Sequence, residues 1–420
     1  MKKGLWMGLM SMGLVIPMAL GLAACGENSN GGDNKSYNIT VWVGEGTDTL
    51  TKNQIKEFNK TNEWGVTFNA TVEIVSESVA MGNAISTPQS CADIFCFAQD
   101  QLARGKYAAR LQTLNASSVT AITENCDAAS VAAATMGKTV CAFPMTADNG
   151  YFMYYDKSVI TDESHVDSLE ALIADCEAAG RYFAMNLTED GGAWYAASFF
   201  YATGCQSEWT TDEKGIFTKF DDTFNSDNGV IALQGMQKLM KSKAYLSSAE
   251  ISEFTMATPA AVVVSGIWGY KAAKQALGNR LGIAPLPKFT VNEEEYQLKS
   301  YLGCKLMGVK PQTDSYKALY LQKLAMYLTS KDCQLERFNE VGWGPTDKAA
   351  QQDPDVLAAP ALSVLANSST VLQGQYPTNW WTEVQRMTGS VKGSTQEESS
   401  LRTALAEYNK TLSGLLGASN

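Results

Sequence analysis

Histidine is almost absent from this chain of 420 residues, and its scarcity excludes several kinds of chemistry. The single histidine, His165, lies in the polar stretch TDESH, where a solvated loop residue is expected. A serine-hydrolase triad needs a histidine base, and protein zinc sites are built largely from histidine and cysteine. No CxxC spacing occurs among the cysteines. The sequence therefore offers neither a histidine-based triad nor an ordinary zinc site, and we expect no metal and no cofactor.

Charge of either sign is also scarce. Charged residues make up 18% of the chain, below the roughly 25% of an ordinary soluble protein. The formal net charge is −11, which argues against binding to nucleic acid or to an anionic lipid surface. Aromatic residues reach 10%. A surface with little charge and many aromatic and small polar groups favours a neutral ligand that carries hydroxyl groups.

Apolar runs long enough to cross a membrane are missing beyond residue 25. The start of the chain differs, because two lysines precede an apolar run over residues 5–22, which ends in Leu-Ala-Ala-Cys25. A basic start, an apolar run and small residues before a cleavage site are typical of a secretory signal. Small residues and a proline interrupt the run, so we predict a signal peptide over residues 1–24 rather than a membrane span.

The end of this run resembles a bacterial lipobox. The resemblance implies that Cys25 becomes the acylated first residue of the mature protein and that lipid is its only attachment to the membrane. Residues 25–36 are polar and glycine-rich, which predicts a flexible tether. About 395 residues follow the signal peptide, more than one ordinary hydrophobic core accommodates, so two domains are expected.

Beyond the tether, predicted strands and helices alternate. Apolar and β-branched runs predict strands at residues 37–43, 66–75, 93–97, 182–187 and 260–265, with helices between them, one of which ends at Gly180. This alternation predicts the α/β class with mostly parallel sheets. Ligands of such sheets bind beyond the carboxyl ends of the strands, where Trp42, Glu45, Phe97 and Asp100 follow two of the predicted strands.

Residues 142–157 contain two apolar runs separated by the polar stop Asp148-Asn149-Gly150. The pattern fits a strand, a turn and a strand within one domain. It also fits a crossing between two lobes that holds a carboxylate and an amide. Aromatic and acidic residues at other strand ends favour the crossing, and further crossings are expected near residues 300–309 and 342–346.

The second half of the chain adds aromatic candidates. Glu189 lies in a loop after a predicted strand, and Trp194 follows it on a helix. Trp268 lies between two glycines at the end of the strand over residues 260–265. A tryptophan is usually a core residue, yet the flanking glycines favour a ring that projects into a cleft. Trp380 and Trp381 open a late helix.

Together these features resemble the family 1 extracellular solute-binding proteins of ABC importers, and within them the maltodextrin-binding group. The resemblance extends from residue 37 to the C-terminus, and it is carried by the segments ITVWV with Glu45, DIFCFAQD (93–100), FPMTAD (143–148), NLTE (186–189) with Trp194, GIW (266–268) and Trp380-Trp381. Phe97, Gln101 and Gly191 stand where the family commonly has tryptophan, arginine and tyrosine. These departures concern the particular sugar and its affinity.

The resemblance implies two α/β lobes, connected by three crossovers, with a ligand cleft between them. The first lobe is expected over residues 37–147 and 301–343, and the second over 148–300 and 344–420. The residues expected to contact the ligand are Trp42, Glu45, Phe97, Asp100, Asp148, Asn149, Glu189, Trp194, Trp268, Trp380 and Trp381.

The function implied is the capture of a neutral oligosaccharide, maltotriose or a longer maltodextrin, by a monomeric, non-enzymatic lipoprotein. It would deliver this ligand at the outer face of the cytoplasmic membrane to ABC permease subunits. Two alternatives remain from the residues alone. The ligand could be another class of oligosaccharide, or the protein could be a glycoside hydrolase, since those enzymes also combine aromatic residues with two carboxylates.

Eight cysteines follow Cys25, and cysteines of exported proteins often form disulfides. The connectivity cannot be read from the sequence. Cys304 and Cys333 are one candidate pair, because a predicted strand and the helix after it should place both in one lobe. Two separately buried thiols are the alternative.

Overall fold

The computed structural model describes residues 35–393 and 397–417. The predicted signal peptide, Cys25 and most of the predicted tether lie outside the described residues. The last two tether residues, Lys35 and Ser36, begin the first strand, which therefore starts two residues earlier than the sequence indicated. No helix in the described ranges is long and apolar enough to span a membrane.

The strands of the described residues are numbered in chain order. They are β1 (Lys35–Val43), β2 (Val66–Ile74), β3 (Ile94–Ala98), β4 (Thr135–Met136), β5 (Thr139–Val140), β6 (Phe143–Thr146), β7 (Tyr151–Asp156), β8 (Tyr182–Ala184), β9 (Ser207–Thr211), β10 (Phe217–Asp222), β11 (Tyr245–Leu246), β12 (Ala260–Gly266), β13 (Leu281–Ala284), β14 (Lys288–Val291), β15 (Glu294–Gln297), β16 (Ser300–Leu302), β17 (Lys305–Val309) and β18 (Thr370–Leu372).

The helices of the same residues are α1 (Asp48–Thr61), α2 (Glu77–Ser86), α3 (Leu102–Tyr107), α4 (Ala116–Asn125), α5 (Ala128–Ala133), α6 (Leu169–Ala179), α7 (Gly192–Ala202), α8 (Asp227–Met240), α9 (Tyr270–Leu277), α10 (Ser315–Leu328), α11 (Lys331–Val341), α12 (Pro354–Leu357), α13 (Pro360–Ala366), α14 (Thr378–Gly393) and α15 (Glu398–Leu412). As the sequence predicted, α6 ends at Gly180, whose φ of 63° is left-handed.

The first sheet has five strands in the order β2-β1-β3-β17-β6. β1 runs parallel to β2 and β3, whereas β17 runs antiparallel to its neighbours β3 and β6. Lys305, the first residue of β17, therefore pairs with Ala98 on one side and Thr146 on the other. Because these partners lie at the ends of β3 and β6, Lys305 is placed at the carboxyl edge of the parallel strands.

The second sheet repeats this plan with the order β11-β8-β12-β7-β13. Here β7 is the antiparallel strand, and it pairs with β12 and β13. Tyr151, the first residue of β7, lies opposite Gly266 at the carboxyl end of β12. Both β7 and β12 are completely buried, as expected for strands covered by helices on both faces.

The chain crosses between the sheets three times, and the crossings are bonded to each other. Ala147, in the first crossing, donates its backbone N–H to the Gly344 carbonyl in the third crossing at 3.0 Å. The Asn149 N–H donates to the Gly303 carbonyl in the second crossing, also at 3.0 Å. The expected fold, two α/β lobes with three crossovers and a cleft between them, is confirmed. The lobe boundaries themselves stay a prediction.

The eight cysteines after Cys25 are all buried free thiols. The candidate disulfide between Cys304 and Cys333 is therefore absent among the described residues, and the interpretation as separate buried thiols is correct. Burial raises the pKa of the Cys304 thiol to about 12, and of the Cys333 thiol to about 11. With pKa values this high, both thiols stay protonated at neutral pH. Because only the thiolate is reactive, these two cysteines act as small apolar core residues.

Candidate ligand-binding cleft

The carboxyl edge of the first sheet collects the polar side chains of the first lobe. Its parallel strands end at one edge, so the residues that follow each of them come together there. Glu45 follows β1, Glu77 follows β2, Asp100 follows β3, and Asp148 follows β6. Lys305 enters the same edge from the opposite direction at the start of β17. This edge therefore carries four carboxylates and one ammonium group.

Asp100 is a buried carboxylate at this edge, held by an indole from a distant part of the chain. Its Oδ2 accepts a hydrogen bond from Trp381 Nε1 at 3.1 Å. Burial raises the pKa of Asp100 to about 6, and the Trp381 hydrogen bond opposes part of this rise. Asp100 thus carries a carboxylate that changes its protonation state near neutral pH.

Asp148 lies at the point where the first and third crossings meet. Its Oδ2 accepts a hydrogen bond from the Gly344 backbone N–H at 2.6 Å. Burial raises the pKa of Asp148, although the nearby Lys305 ammonium, a hydroxyl and this N–H oppose the rise. Asn149, the next residue, is also buried and donates from Nδ2 to Gln373 Oε1 at 3.2 Å. Both predicted crossing residues therefore lie at the hinge and support its geometry.

A continuous series of aromatic rings connects the second lobe to Asp100. The Trp194 ring lies 6.0 Å from Trp268 and 6.2 Å from Tyr301, and it is nearly parallel to the tyrosine, at 8°. Tyr301 in turn lies 5.9 Å from Trp381 in an edge-to-face arrangement. The structure thus brings Trp194, Trp268, Trp381 and Asp100 together. Tyr301, which connects them, was missed by sequence reasoning.

Trp268 presents the most accessible of these rings. It lies in the 3₁₀ turn Ile267–Gly269, directly after β12, and its side chain is 39% exposed. A Cβ atom at Gly266 would collide with the Trp268 ring, so glycine at this position lets the indole fold back over the strand end. The prediction that this ring projects from a tight turn agrees with its position, while its contact with a ligand stays a prediction.

Three predicted contact residues are packed inside the protein instead. Phe97 is fully buried and lies 5.7 Å from the Phe95 ring. Trp42 is buried, and its Nε1 donates to Glu73 Oε2 at 2.9 Å. Trp380 is fully buried, with Nε1 donating to the Tyr408 hydroxyl at 2.8 Å. The structure therefore packs all three rings into the core, because the strand ends that carry Trp42 and Phe97 are buried on both sides. Contact of these rings with a ligand stays a prediction.

Two predicted carboxylates lie at the rim of the cleft. Glu45 is exposed in the turn after β1, and Glu189 is exposed in the loop between β8 and α7. Glu189 Oε1 accepts only from the neighbouring Thr188 hydroxyl, at 3.2 Å, among the contacts of the described residues. Neither position fixes the carboxylate against the body of the protein, so both can turn towards solvent or towards a ligand.

Sequence reasoning also missed Glu77, Lys305 and Trp343, which lie together at the carboxyl edge of the first sheet. Lys305 Nζ lies 3.4 Å from Glu77 Oε1 and 3.5 Å from the centre of the Trp343 ring. Signals for two of them exist in the sequence. Lys305 interrupts the apolar run LGCKLMGV, and Trp343 stands in GWG, the same glycine context that singled out Trp268. Glu77, at the start of α2, has no such signal.

The two lobes, the bonded crossings and the polar and aromatic groups between them define a protein that binds a solute in a cleft. Residues 53–364 match the model of the bacterial extracellular solute-binding protein family. The chain therefore belongs to that family. Comparison with curated protein sequences finds no match.

Solved structures with the same fold cover most of the chain. The maltodextrin-binding protein MalE1 from L. casei BL23, without ligand, is 22% identical, with a TM-score of 0.75 over 90% of this chain and 100% of its own. The maltose/maltodextrin-binding domain MalE from Bdellovibrio bacteriovorus, bound to maltotriose, is 19% identical, with a TM-score of 0.71 over 90% and 100%. The Thermus thermophilus maltotriose-binding protein, bound with maltotriose, is 19% identical, with 0.68 over 89% and 100%.

Proposed function

We propose that this solute-binding protein captures a neutral oligosaccharide, an α-1,4-glucan of about three or four glucose units, and delivers it to a membrane permease. The observation that carries the proposal is the row of rings from Trp268 through Trp194 and Tyr301 to Trp381, which ends at the Asp100 carboxylate. Solved proteins of the same fold that bind maltotriose support the choice of ligand.

The aromatic row suits the apolar faces of sugar rings. A pyranose presents C–H groups on its faces, and a flat indole covers them at a low entropic cost because few of its torsions must be fixed. One exposed ring would suffice for a monosaccharide. Three partly exposed rings, Trp194, Trp268 and Trp381, favour a ligand that spans more than one sugar unit.

The polar groups suit the hydroxyls at the rim of each sugar. Carboxylates accept hydrogen bonds from hydroxyl groups, and ionised partners make stronger hydrogen bonds than neutral ones. A buried acceptor such as Asp100 discriminates between ligands, because a sugar that leaves it unpaired loses about 1–3 kcal/mol. The cleft therefore favours a ligand with hydroxyls on several edges over an apolar one.

The two-lobe architecture supports the proposed transport step. Ligand contacts on both lobes favour hinged closure around the bonded crossings, and the closed form would be the one that docks on the permease. Cys25 would hold the protein at the outer face of the cytoplasmic membrane through lipid. An Ala substitution of Cys25 should release the protein into the medium, and firm membrane retention of that variant would contradict the anchor.

Calorimetric titration with a panel of oligosaccharides tests the ligand class. Maltotriose and maltotetraose should bind at least roughly tenfold more tightly than xylo-, manno- and cello-oligosaccharides of the same length. If one of the other sugars binds preferentially, the protein still captures an oligosaccharide, but the α-1,4-glucan is the wrong ligand. A protein that binds none of them would contradict the proposed function.

The same protein, incubated with maltotetraose, tests binding against hydrolysis. A binding protein leaves the tetrasaccharide intact, whereas a glycoside hydrolase releases shorter products that chromatography separates. The chain belongs to a solute-binding family, and two buried carboxylates at the carboxyl edge of the first sheet, Asp100 and Asp148, accept hydrogen bonds from Trp381 and Gly344. We therefore expect no shorter product after prolonged incubation.

A further inference from the structure

Lys305 and Glu77 form an ion pair, and two tryptophan rings lie near its ammonium group. The Lys305 ammonium lies 3.4 Å from Glu77 Oε1 and 3.5 Å above the ring of Trp343. The ring of Trp268, from the second lobe, has its centre 5.5 Å from the same ammonium group. Lys305 is only 6% exposed. A buried cation thus lies close to one indole and about 2 Å farther from the other.

The polar atoms of this cluster have hydrogen-bonding capacity left over. Glu77 Oε1 and Trp343 Nε1 are both buried and have no hydrogen-bond partner among residues 35–393 and 397–417, although the Lys305 ammonium is near enough to the carboxylate for an ion pair. A buried donor or acceptor without a partner is costly, and native proteins seldom retain one without a reason. The unused acceptor and the unused indole N–H lie beside the same ammonium group.

The backbone of β1 makes room for this arrangement. Gly44 immediately follows β1, and a Cβ atom there would collide with Glu77 Oε1 and with the Trp343 ring. The carboxylate and the indole therefore pack directly on the backbone at the strand end. The backbone of Lys305 is fixed by the pairing of β17 with β3 on one side and β6 on the other.

The opposite edge of the same sheet carries an ion pair of a different kind. Asp93 Oδ1 accepts from Lys317 Nζ at 2.8 Å and from Gln312 Nε2 at 3.1 Å, and Asp93 Oδ2 accepts from the Thr40 N–H at 3.0 Å. This carboxylate is fully engaged by the protein itself, as expected of a structural pair. Within the described part of the chain, the Glu77 carboxylate beside Lys305 has no comparable set of partners.

We propose that Glu77, Lys305 and Trp343 form a sugar-binding subsite in the first lobe, opposite the exposed face of Trp268. One hexose unit of the oligosaccharide stacks on Trp268, and two neighbouring hydroxyls of that unit bridge the ion pair. One hydroxyl accepts from the Lys305 ammonium, and the other donates to Glu77 Oε1. A third sugar oxygen accepts from Trp343 Nε1. This subsite rests on the proposed function and adds the residues that recognise the sugar edge.

Calorimetric titration of maltotetraose into variants of the pair tests the subsite. Lys305→Met and Glu77→Gln should each weaken binding by roughly tenfold or more, because a charged hydrogen bond to the sugar is lost. Lys305→Met/Glu77→Gln should weaken it by little more than either single change, because the two groups act as one unit. The matched control Lys317→Met removes the ion pair between Asp93 and Lys317. It should keep the affinity for maltotetraose within about twofold of the wild-type value.

Thermal unfolding of each variant separates binding from folding. If Lys305→Met does not fold because Glu77 is left unpaired, the neutral double variant and Glu77→Gln carry the test. Folded pair variants that bind maltotetraose as tightly as the wild-type protein would overturn the subsite and make this pair structural, like Asp93 and Lys317. A wild-type protein that binds no oligosaccharide would instead overturn the proposed function.

Discussion

The two lobes contribute different chemistry to the cleft. The first lobe places charged groups there, namely Glu77, Asp100 and Lys305, at the carboxyl edge of its sheet. The second lobe places rings there, with Trp268 after β12 and Trp194 on α7. Both sheets have the same strand plan, so the difference lies in the residues that follow the strands.

This division matches the two kinds of surface that a sugar offers. The faces of a pyranose are apolar and require flat partners, whereas its rim carries hydroxyls that require donors and acceptors. If one lobe covers faces and the other binds rims, neither lobe alone satisfies the ligand. Closure then brings the contacts of the other lobe to a ligand already held by one lobe. In this way a binding protein couples ligand capture to a change of shape.

The largest expected effect comes from removing the main ring of the second lobe. Trp268→Ala should weaken maltotetraose binding by at least roughly thirtyfold, because loss of a central aromatic anchor typically costs 2 kcal/mol or more. Calorimetry on the folded variant, with circular dichroism as the folding check, measures it. Near-normal affinity would show that Trp268 is not a ligand contact.

A matched tryptophan serves as the control for that change. Trp64 is half-buried in the first lobe, 6.1 Å from the Phe58 ring, and it also has a lysine above it, with Lys323 Nζ at 4.9 Å. Trp64→Ala should reduce the thermal stability and leave the affinity for maltotetraose within about twofold. An equal loss of affinity in both variants would mean that tryptophan removal acts through folding.

A smaller effect on affinity is expected from protonating Asp100, a carboxylate of the first lobe. Burial raises the pKa of Asp100 to about 6, and the proposed contact requires sugar hydroxyls to donate to its ionised form. Ligand binding should therefore favour the ionised form, and affinity should fall as the pH falls below 6. Between pH 8 and pH 5 we expect a loss of roughly tenfold, since one proton must be released on binding. Titrations across this range measure it, and a flat profile would place Asp100 outside the contacts.

The unliganded protein provides an independent check on the same carboxyl. Because the folded pKa of Asp100 exceeds its ordinary value of 3.8, the folded state holds more protons than the unfolded state between about pH 4 and pH 6. The contribution of Asp100 to stability therefore declines as the pH rises through this window. Asp100→Asn should remove the decline, so that thermal unfolding at pH 8 occurs at a temperature no lower than in the wild-type protein.

Much of the fold could be predicted because its signals are local. The alternation of strand and helix patterns indicated parallel sheets. The polar stop at Asp148 to Gly150 fitted a crossing as well as a simple turn, and the aromatic and acidic residues at other strand ends favoured the crossing. The start of the first strand was predicted two residues late, since Lys35 and Ser36 are polar and only pairing with β2 makes them a strand. Tertiary pairing, rather than composition, sets that boundary.

The site was predictable only in part, because burial depends on which side of an element a residue faces. Trp380 and Trp381 are neighbours in the sequence, yet the first is in the core and the second is bonded to Asp100. Sequence spacing alone does not assign these two sides without the position of the neighbouring helices. Lys305 and Glu77 lie 228 residues apart and meet only through the order of strands in the sheet.

The smallest expected effect concerns the exposed carboxylates at the cleft rim, one on each lobe. Glu45→Gln and Glu189→Gln should each change the affinity for maltotetraose by no more than about threefold, because an exposed carboxylate exchanges a hydrogen bond to water for one to the sugar. Both residues are exposed, so the substitutions should leave the unfolding temperature unchanged. If Glu189→Gln instead costs tenfold or more, its loop closes over the ligand and excludes water. The second lobe would then contribute a charged group as well as rings, and the division between the lobes would fail at that position.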